Sequence, residues 1–145
     1  MMMTAVDTNV LIRLFVNDDS LQCQKARALF DKHADSKELL WIADLVMLEL
    51  AWTLDRIYEF SRAEICVALK ALAGNATASL ESSLAIEQSI ALYEQGPAGF
   101  ADCLLAIKAS HAGCGALRTF DKKIKALPGV KLLWQLIITN YAFFA

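Results

Sequence analysis

Four carboxylates stand out by their context. Asp7 closes the short apolar run in "MTAVDTNVLI", Glu49 lies within "DLVMLELAWTL", Asp102 within "GFADCLLAIKA", and Asp121 directly follows "GALRTF". The segments before Asp7 and Asp121 read as the first and fourth strands of a parallel sheet. Ligands of such sheets bind outside the carboxyl ends of the strands, so acids at two equivalent ends are expected to share one cleft. Asp102 falls in the first turn of a helix and Glu49 near the middle of one. The residues three and four positions from Glu49 are Leu45, Val46, Trp52 and Thr53. That mostly apolar stripe is expected to face the core, where a carboxylate is costly unless it is paired, hydrogen-bonded or bound to a metal. Four acids in one pocket would repel one another and raise one another's pKa. A divalent cation removes the conflict, and an all-oxygen donor set without His or Cys suits Mg²⁺ or Mn²⁺. Such an ion activates water and stabilises charge on a phosphoryl group during in-line displacement. The chemistry indicated is phosphodiester hydrolysis.

Each acid taken alone has a structural explanation. Asp7 and Asp121 are each at home as a helix cap, Asp102 gains about 0.3–1 kcal/mol from the helix dipole, and Glu49 is within reach of Arg56 for an ion pair. The argument rests on the set. Competing chemistries lack their parts. His33 and His111 lie in ordinary helical contexts, no Ser-His-Asp or Cys-His arrangement is evident, and no glycine-rich phosphate loop appears. A haloacid-dehalogenase-type phosphatase needs a second acid two residues after the first, and Asn9 stands there. A response-regulator receiver needs an acidic pair after the first strand and a lysine at the end of a late strand, and neither is in place. A non-catalytic binding module remains open beside the enzyme.

The elements that must position these residues follow from the hydrophobic pattern. Thr4 to Val6 reads as a strand, Thr8 to Val16 and Leu21 to His33 as helices, and Leu39 to Ile42 as a second strand. Asp44 to Tyr58 reads as a helix with Asp44 near its N-cap. "SRAE" (residues 61–64) has capping-box spacing and opens a helix to about Leu72. Thr77 to Leu80 is a short third strand, and Ser83 to Gln95 a helix stopped by Gly96-Pro97. Phe100 to Ala112 is a helix stopped by Gly113. Ala116 to Thr119 is a strand, Lys122 to Leu127 a helical turn, and Val130 to Leu133 a last strand. Strands separated by helices imply parallel crossovers, so the class is α/β with helices on both faces of a mostly parallel sheet of about four to five strands.

Composition sets the bounds. At 145 residues and 57% hydrophobic content, the chain makes one domain with a full core. A formal net charge of −2 provides no global field to attract nucleic acid. Arg118, Lys122, Lys123, Lys125 and Lys131 nevertheless cluster around the lone acid Asp121, and such a patch either holds phosphates or is simply a solvated face. Cys23, Cys66, Cys103 and Cys114 have no C-x-x-C spacing and read as small buried hydrophobes in a reducing cytosol. His111 to Cys114 lacks the second ligand pair that zinc needs. The first residues lack the basic and long apolar regions of a signal peptide. The uncharged stretch from Leu132 to Ala145 is shorter than the roughly 20 residues that span a bilayer, so no membrane association is expected. The apolar surplus, with Trp41, Trp52, Trp134 and that tail, predicts association with a second copy or a partner.

Taken together, "AVDTNVLIRLF", "VMLELAWTL", "FADCLLAIKA" and "LRTFDKKIKALPGV" resemble the PIN-domain ribonucleases, and most closely the VapC-type toxins of prokaryotic toxin–antitoxin pairs. The resemblance covers Thr4 to about Leu133. Each motif alone is weak, but the ordered set at these spacings is specific. It implies a PIN-like α/β/α sandwich, a Mg²⁺-dependent acidic site that cuts RNA, frequent homodimers, and inhibition by a small antitoxin. Asp7, Glu49, Asp102 and Asp121 match the acidic quartet, with Asp7, Asp102 and Asp121 as metal ligands. Thr8 and Asn9 match the polar residues after the first acid, and Thr119 the hydroxyl residue before the last. Many relatives carry a further acid two residues after the last one. Here that place is Lys123, followed by Ile124, which puts a firmly held second metal in doubt. "QLIITNYAFFA" extends past the point where relatives usually end.

Overall fold

The computed structural model describes residues 2–135. The tail from residue 136 onward, to which the sequence reading gave a part in association, lies outside the described residues. The chain alternates strand and helix: β1 (Thr4–Ala5), α1 (Thr8–Phe15), α2 (Ser20–Ser36), β2 (Leu40–Ile42), α3 (Asp44–Arg56), α4 (Arg62–Ala73), β3 (Ala78–Leu80), α5 (Ser83–Gln95), α6 (Phe100–His111), β4 (Leu117–Thr119) and β5 (Val130–Leu132). These elements match the sequence expectations to within a few residues. The turn expected over Lys122 to Leu127 is a shorter 3₁₀ turn, Lys122–Ile124.

All strand pairs are parallel. β2 lies between β1 and β3, with Thr4 opposite Leu40 and Ile42 opposite Leu80, while β4 pairs with β5. The five strands therefore form hydrogen-bonded groups of three and two. The strands are short because each ladder breaks off where the chain turns into a helix. Backbone bonds from Val6 N–H to the Trp41 carbonyl (3.2 Å) and from Glu81 N–H to the Ile42 carbonyl (2.9 Å) carry the pairing one residue further. Asp7, Asp44 and Ser82 thus fall together along the carboxyl edge.

β2 is covered on both faces: Leu40 and Ile42 are fully buried and Trp41 is half-buried. The helices supply that cover, as parallel crossovers require. α1 packs on α2 and α3, α3 on α4 and α6, α4 on α5, and α5 on α6. Leu11, Met47, Leu50, Leu54, Leu69, Leu72, Ile86 and Cys103 fill the centre.

The helix starts have local causes. Ser61 and Glu64 close the anticipated capping box on α4. The Asp19 carboxylate accepts from Gln22 N–H (3.0 Å), so α2 begins before the expected Leu21. The N-cap of α3 is Ala43, with no side-chain cap of its own. Glu81, arriving from the end of β3, accepts the Asp44 N–H instead (2.8 Å). One cysteine expectation is corrected: Cys23, Cys66 and Cys103 are buried, but Cys114 is exposed, because it lies past the Gly113 stop of α6.

Candidate active site

The first group of acids forms at the end of β1. Asp7 is the N-cap of α1, and its carboxylate accepts the Thr8 N–H at 2.7 Å. The cap explanation for Asp7 is therefore real, and it leaves the second carboxylate oxygen free of that bond. Thr8 is buried, and its hydroxyl donates to Glu49 Oε2 at 2.9 Å. Because α1 packs against α3, this bond ties the Asp7 turn to the middle of α3.

Glu49 reaches this position by a different route from the one expected. It is exposed, and its flanking residues Leu45 and Trp52 are 64% and 59% exposed. The buried face of α3 is Val46, Met47, Leu50, Ala51 and Leu54. Of the four neighbours of Glu49, Leu45 and Trp52 point outward, Thr53 is half-buried and Val46 is buried, so Glu49 lies at the border of the core face and not within it. Arg56 does not pair with it; its near acid is Asp55, at 3.6 Å.

The second group forms between α6 and β4. Asp102 sits in the first turn of α6, half-buried, and burial together with the negative charge of Asp121 raises its pKa above the ordinary carboxylate value. Burial is the larger of the two causes. Asp121 caps the 3₁₀ turn after β4. Its N–H donates to Thr119 Oγ1 (3.0 Å), and its Oδ1 accepts from Lys123 N–H (2.8 Å). Thr119 therefore orients the backbone of Asp121. Arg118, Lys122, Lys123 and Lys125 are all exposed around it.

The structure thus brings Asp7, Thr8 and Glu49 into one group and Asp102, Asp121 and Thr119 into another. Among the described residues, no three His, Cys, Asp or Glu side chains stand close enough to enclose an ion on their own. Asn9 is not gathered with the acids. It lines a groove of about 390 Å³ between α1 and α2, with Val10, Arg13, Gln22 and Leu29.

A divalent cation fits the Asp102–Asp121 pair. The pair is all oxygen, and its mutual repulsion is what such an ion relieves. Mg²⁺ in particular is held by one or two carboxylates, keeping several waters and taking further oxygens from substrate phosphates. A closed protein cage is not needed.

Sequence reasoning missed a third feature of this edge. Lys108, on α6, donates to Asp44 Oδ2 (2.6 Å) and to the Ser82 hydroxyl (2.9 Å), and Ser82 also donates to Asp44 Oδ2 (2.8 Å). The bond to Asp44 raises the Lys108 pKa. This network fastens α6, which carries Asp102, to the starts of α3 and α5. The one signal for it in the sequence was that Asp44 and Ser82 both follow strands.

Parallel sheets of three and two strands covered by helices, with acids at the ends of β1 and β4 and at the start of α6, define the class. The chain belongs to the PIN-domain family, whose model matches residues 4–130. Among individual proteins it is similar to a VapC ribonuclease of Aquifex aeolicus (strain VF5), 25% identical over 125 residues, which are 86% of this chain and 92% of that protein.

Proposed function

We propose that the chain is a Mg²⁺-dependent endoribonuclease that hydrolyses RNA phosphodiester bonds, with Mn²⁺ able to substitute, and that it acts as the toxin of a toxin–antitoxin pair. The observation that carries this reading is the Asp102–Asp121 pair, two mutually repelling carboxylates at the sheet edge with exposed basic residues beside them. Membership of the PIN family and the likeness to a VapC ribonuclease support it.

In this reading Asp102 and Asp121 would hold the ion, with Asp7 as the third carboxylate of the site. When bound, Mg²⁺ supplies water activation and offsets charge on the phosphate. Glu49, held by Thr8, accepts a proton from the attacking water or orients it. Thr119 keeps Asp121 in place. Arg118, Lys122, Lys123 and Lys125 receive the phosphates on either side of the cut. The partners are RNA, a small cognate antitoxin and a second copy of the chain, whose dimer covers apolar surface such as Trp52 (59% exposed). The working compartment is the cytoplasm; no helix among the described residues is long and apolar enough to cross a membrane.

A non-catalytic binding role draws on one observation, Lys123 in the place where relatives carry a further acid. A PIN nuclease outside any toxin pair shares the whole site. Single-stranded RNA incubated with wild type, Asp102→Asn, Asp121→Asn and EDTA-treated protein separates these readings. Cleavage by untreated wild type alone is expected. Equal cleavage in all four removes the metal mechanism, and cleavage in none supports the binding role. Growth arrest on expression, relieved by the product of a neighbouring small gene, distinguishes a toxin from a free nuclease.

A further inference from the structure

Phe120 and Trp134 form an aromatic pair that the mechanism above does not use. Their rings meet edge to face with centroids 4.9 Å apart, and the Trp134 indole N–H donates to the Phe120 carbonyl at 2.9 Å. The pair is thus fixed in orientation, yet Phe120 is 59% and Trp134 63% exposed. Two large rings left in water beside each other lose the burial that would ordinarily pay for their presence. Phe120 immediately precedes Asp121 in the chain, at the carboxyl end of β4.

The charges around the rings are as unusual as the rings. β4 and β5 pair with Arg118 directly opposite Lys131, both exposed. Like charges opposite each other on adjacent strands destabilise a sheet. Among the described residues neither joins an ion pair. Lys122 and Lys123 add two more exposed cations just past Phe120. A polyanion resolves that repulsion, and a polyanion carrying flat aromatic groups also covers the rings. Single-stranded nucleic acid has both properties. Proteins that bind it combine a basic track for phosphates with aromatic side chains on which bases stack.

We propose that Phe120 and Trp134 are a stacking platform for an unpaired base of the RNA strand flanking the bond cut at Asp102 and Asp121, a reading that rests on the ribonuclease function proposed above. Arg118 and Lys131 hold the phosphate on the strand side of that base. Because stacking accepts any base face, the platform selects unpaired over paired RNA and sets where the strand is cut relative to an unstacked base. It does not select a sequence.

The test uses the full chain in EDTA, so that binding is read without cleavage. Affinity for a short single-stranded RNA is measured by anisotropy, together with a series of the same RNA carrying one abasic site at successive positions. Wild type is expected to bind at least one abasic RNA about tenfold more weakly than the intact strand, within the range that loss of one stacked base costs. Trp134→Leu and Phe120→Leu should bind the intact RNA about tenfold more weakly, with no further loss on that abasic RNA. Trp134→Phe, which keeps a ring, should recover most of the affinity. The slope of affinity against salt should stay unchanged in the ring variants and fall in Arg118→Gln. The abasic comparison on wild type needs no substitution and so survives any variant that fails to fold. If wild type binds RNA but every abasic position is neutral, or if the ring variants bind as wild type does, the platform is overturned and the nuclease reading stands. If wild type neither binds nor cuts RNA, both fall.

Discussion

Arg62 offers the sharpest test of how the fold holds its site. It is the first residue of α4 and half-buried. Its guanidinium donates to the carbonyls of Tyr93 (2.9 Å), Ala98 (2.7 Å) and Pro97 (2.9 Å), and sits 4.3 Å from the Tyr93 ring centroid. Those carbonyls belong to the end of α5 and to the loop that launches α6. The loop cannot be held by generic packing alone. Gly96 has φ 57 and ψ 178, a conformation reserved for glycine. One planar fork therefore fixes the entry angle of the helix that carries Asp102.

The cost of Arg62→Ala can be worked from those contacts. A hydrogen bond from a charged donor contributes about 1.5–3 kcal/mol when well buried. Discounting for half-burial leaves about 1 kcal/mol each for the bonds to Tyr93 and Ala98, and less for that to the exposed Pro97 carbonyl, which water can satisfy. The contact with the ring adds about 0.5–1 kcal/mol. Together these give about 3 kcal/mol, or a melting temperature lower by roughly 10 °C for a domain of this size. Arg62→Lys retains the charge but can engage only part of the fork, and should recover about a third. Urea unfolding reads the loss as a lower midpoint with an unchanged slope. Cleavage at a temperature where the variant is folded should also fall, because Asp102 is no longer held against Asp121. A loss below about 1 kcal/mol, or equal stability for the alanine and lysine variants, would refute the claim that this fork anchors the loop.

Three further outcomes are expected. Because burial and Asp121 raise the Asp102 pKa, its neutral form is favoured in the folded state; that contribution is complete below the ordinary carboxylate value and is lost as pH rises through the raised one. Asp102→Asn should therefore flatten the acid-to-neutral decline in melting temperature and be more stable than wild type near neutrality without metal, and Mg²⁺ should stabilise wild type only. Ser61→Ala removes the side-chain half of the α4 capping box and should cost about 1 kcal/mol in denaturant while leaving nuclease activity intact. A thiol reagent at neutral pH should modify exposed Cys114 at once, whereas Cys103, whose pKa burial pushes up to about 11, should react only on unfolding, as counted by mass spectrometry.

Much of this was legible in the sequence because the relevant signals are local. Strand ends, helix starts and the capping box at Ser61 are written in neighbouring residues, and the order of elements follows from them. What was not legible depends on contacts between distant segments. Lys108 meets Asp44 across 64 positions and Arg62 meets Ala98 across 36. No periodicity announces either. Glu49 is the instructive case. α3 is apolar on more than one face, so spacing alone could not say which face turns inward: of the stripe expected to face the core, Val46 does so while Leu45 and Trp52 are exposed. The apolar setting of Glu49 exists, but much of it is a surface.

The sequence resemblance expects a further acid at Lys123 and, without it, no firmly held second metal; the Lys123 backbone shows what is kept there whatever the side chain. The Asp121 carboxylate is positioned by the Lys123 N–H at 2.8 Å, a donor that any residue except proline provides. Replacing an acid by lysine there leaves the geometry of Asp121 untouched and changes only the charge beyond it. The side chain is exposed, beside exposed Lys122. A surface cation at that point attracts phosphate where an acid would attract a second metal ion. Lys123→Asp should therefore tighten divalent-ion binding, read as a larger Mg²⁺-induced rise in melting temperature, and weaken RNA binding in EDTA with a shallower salt slope. If both quantities moved in the same direction, the exchange of a metal ligand for a phosphate contact at residue 123 would be the wrong account.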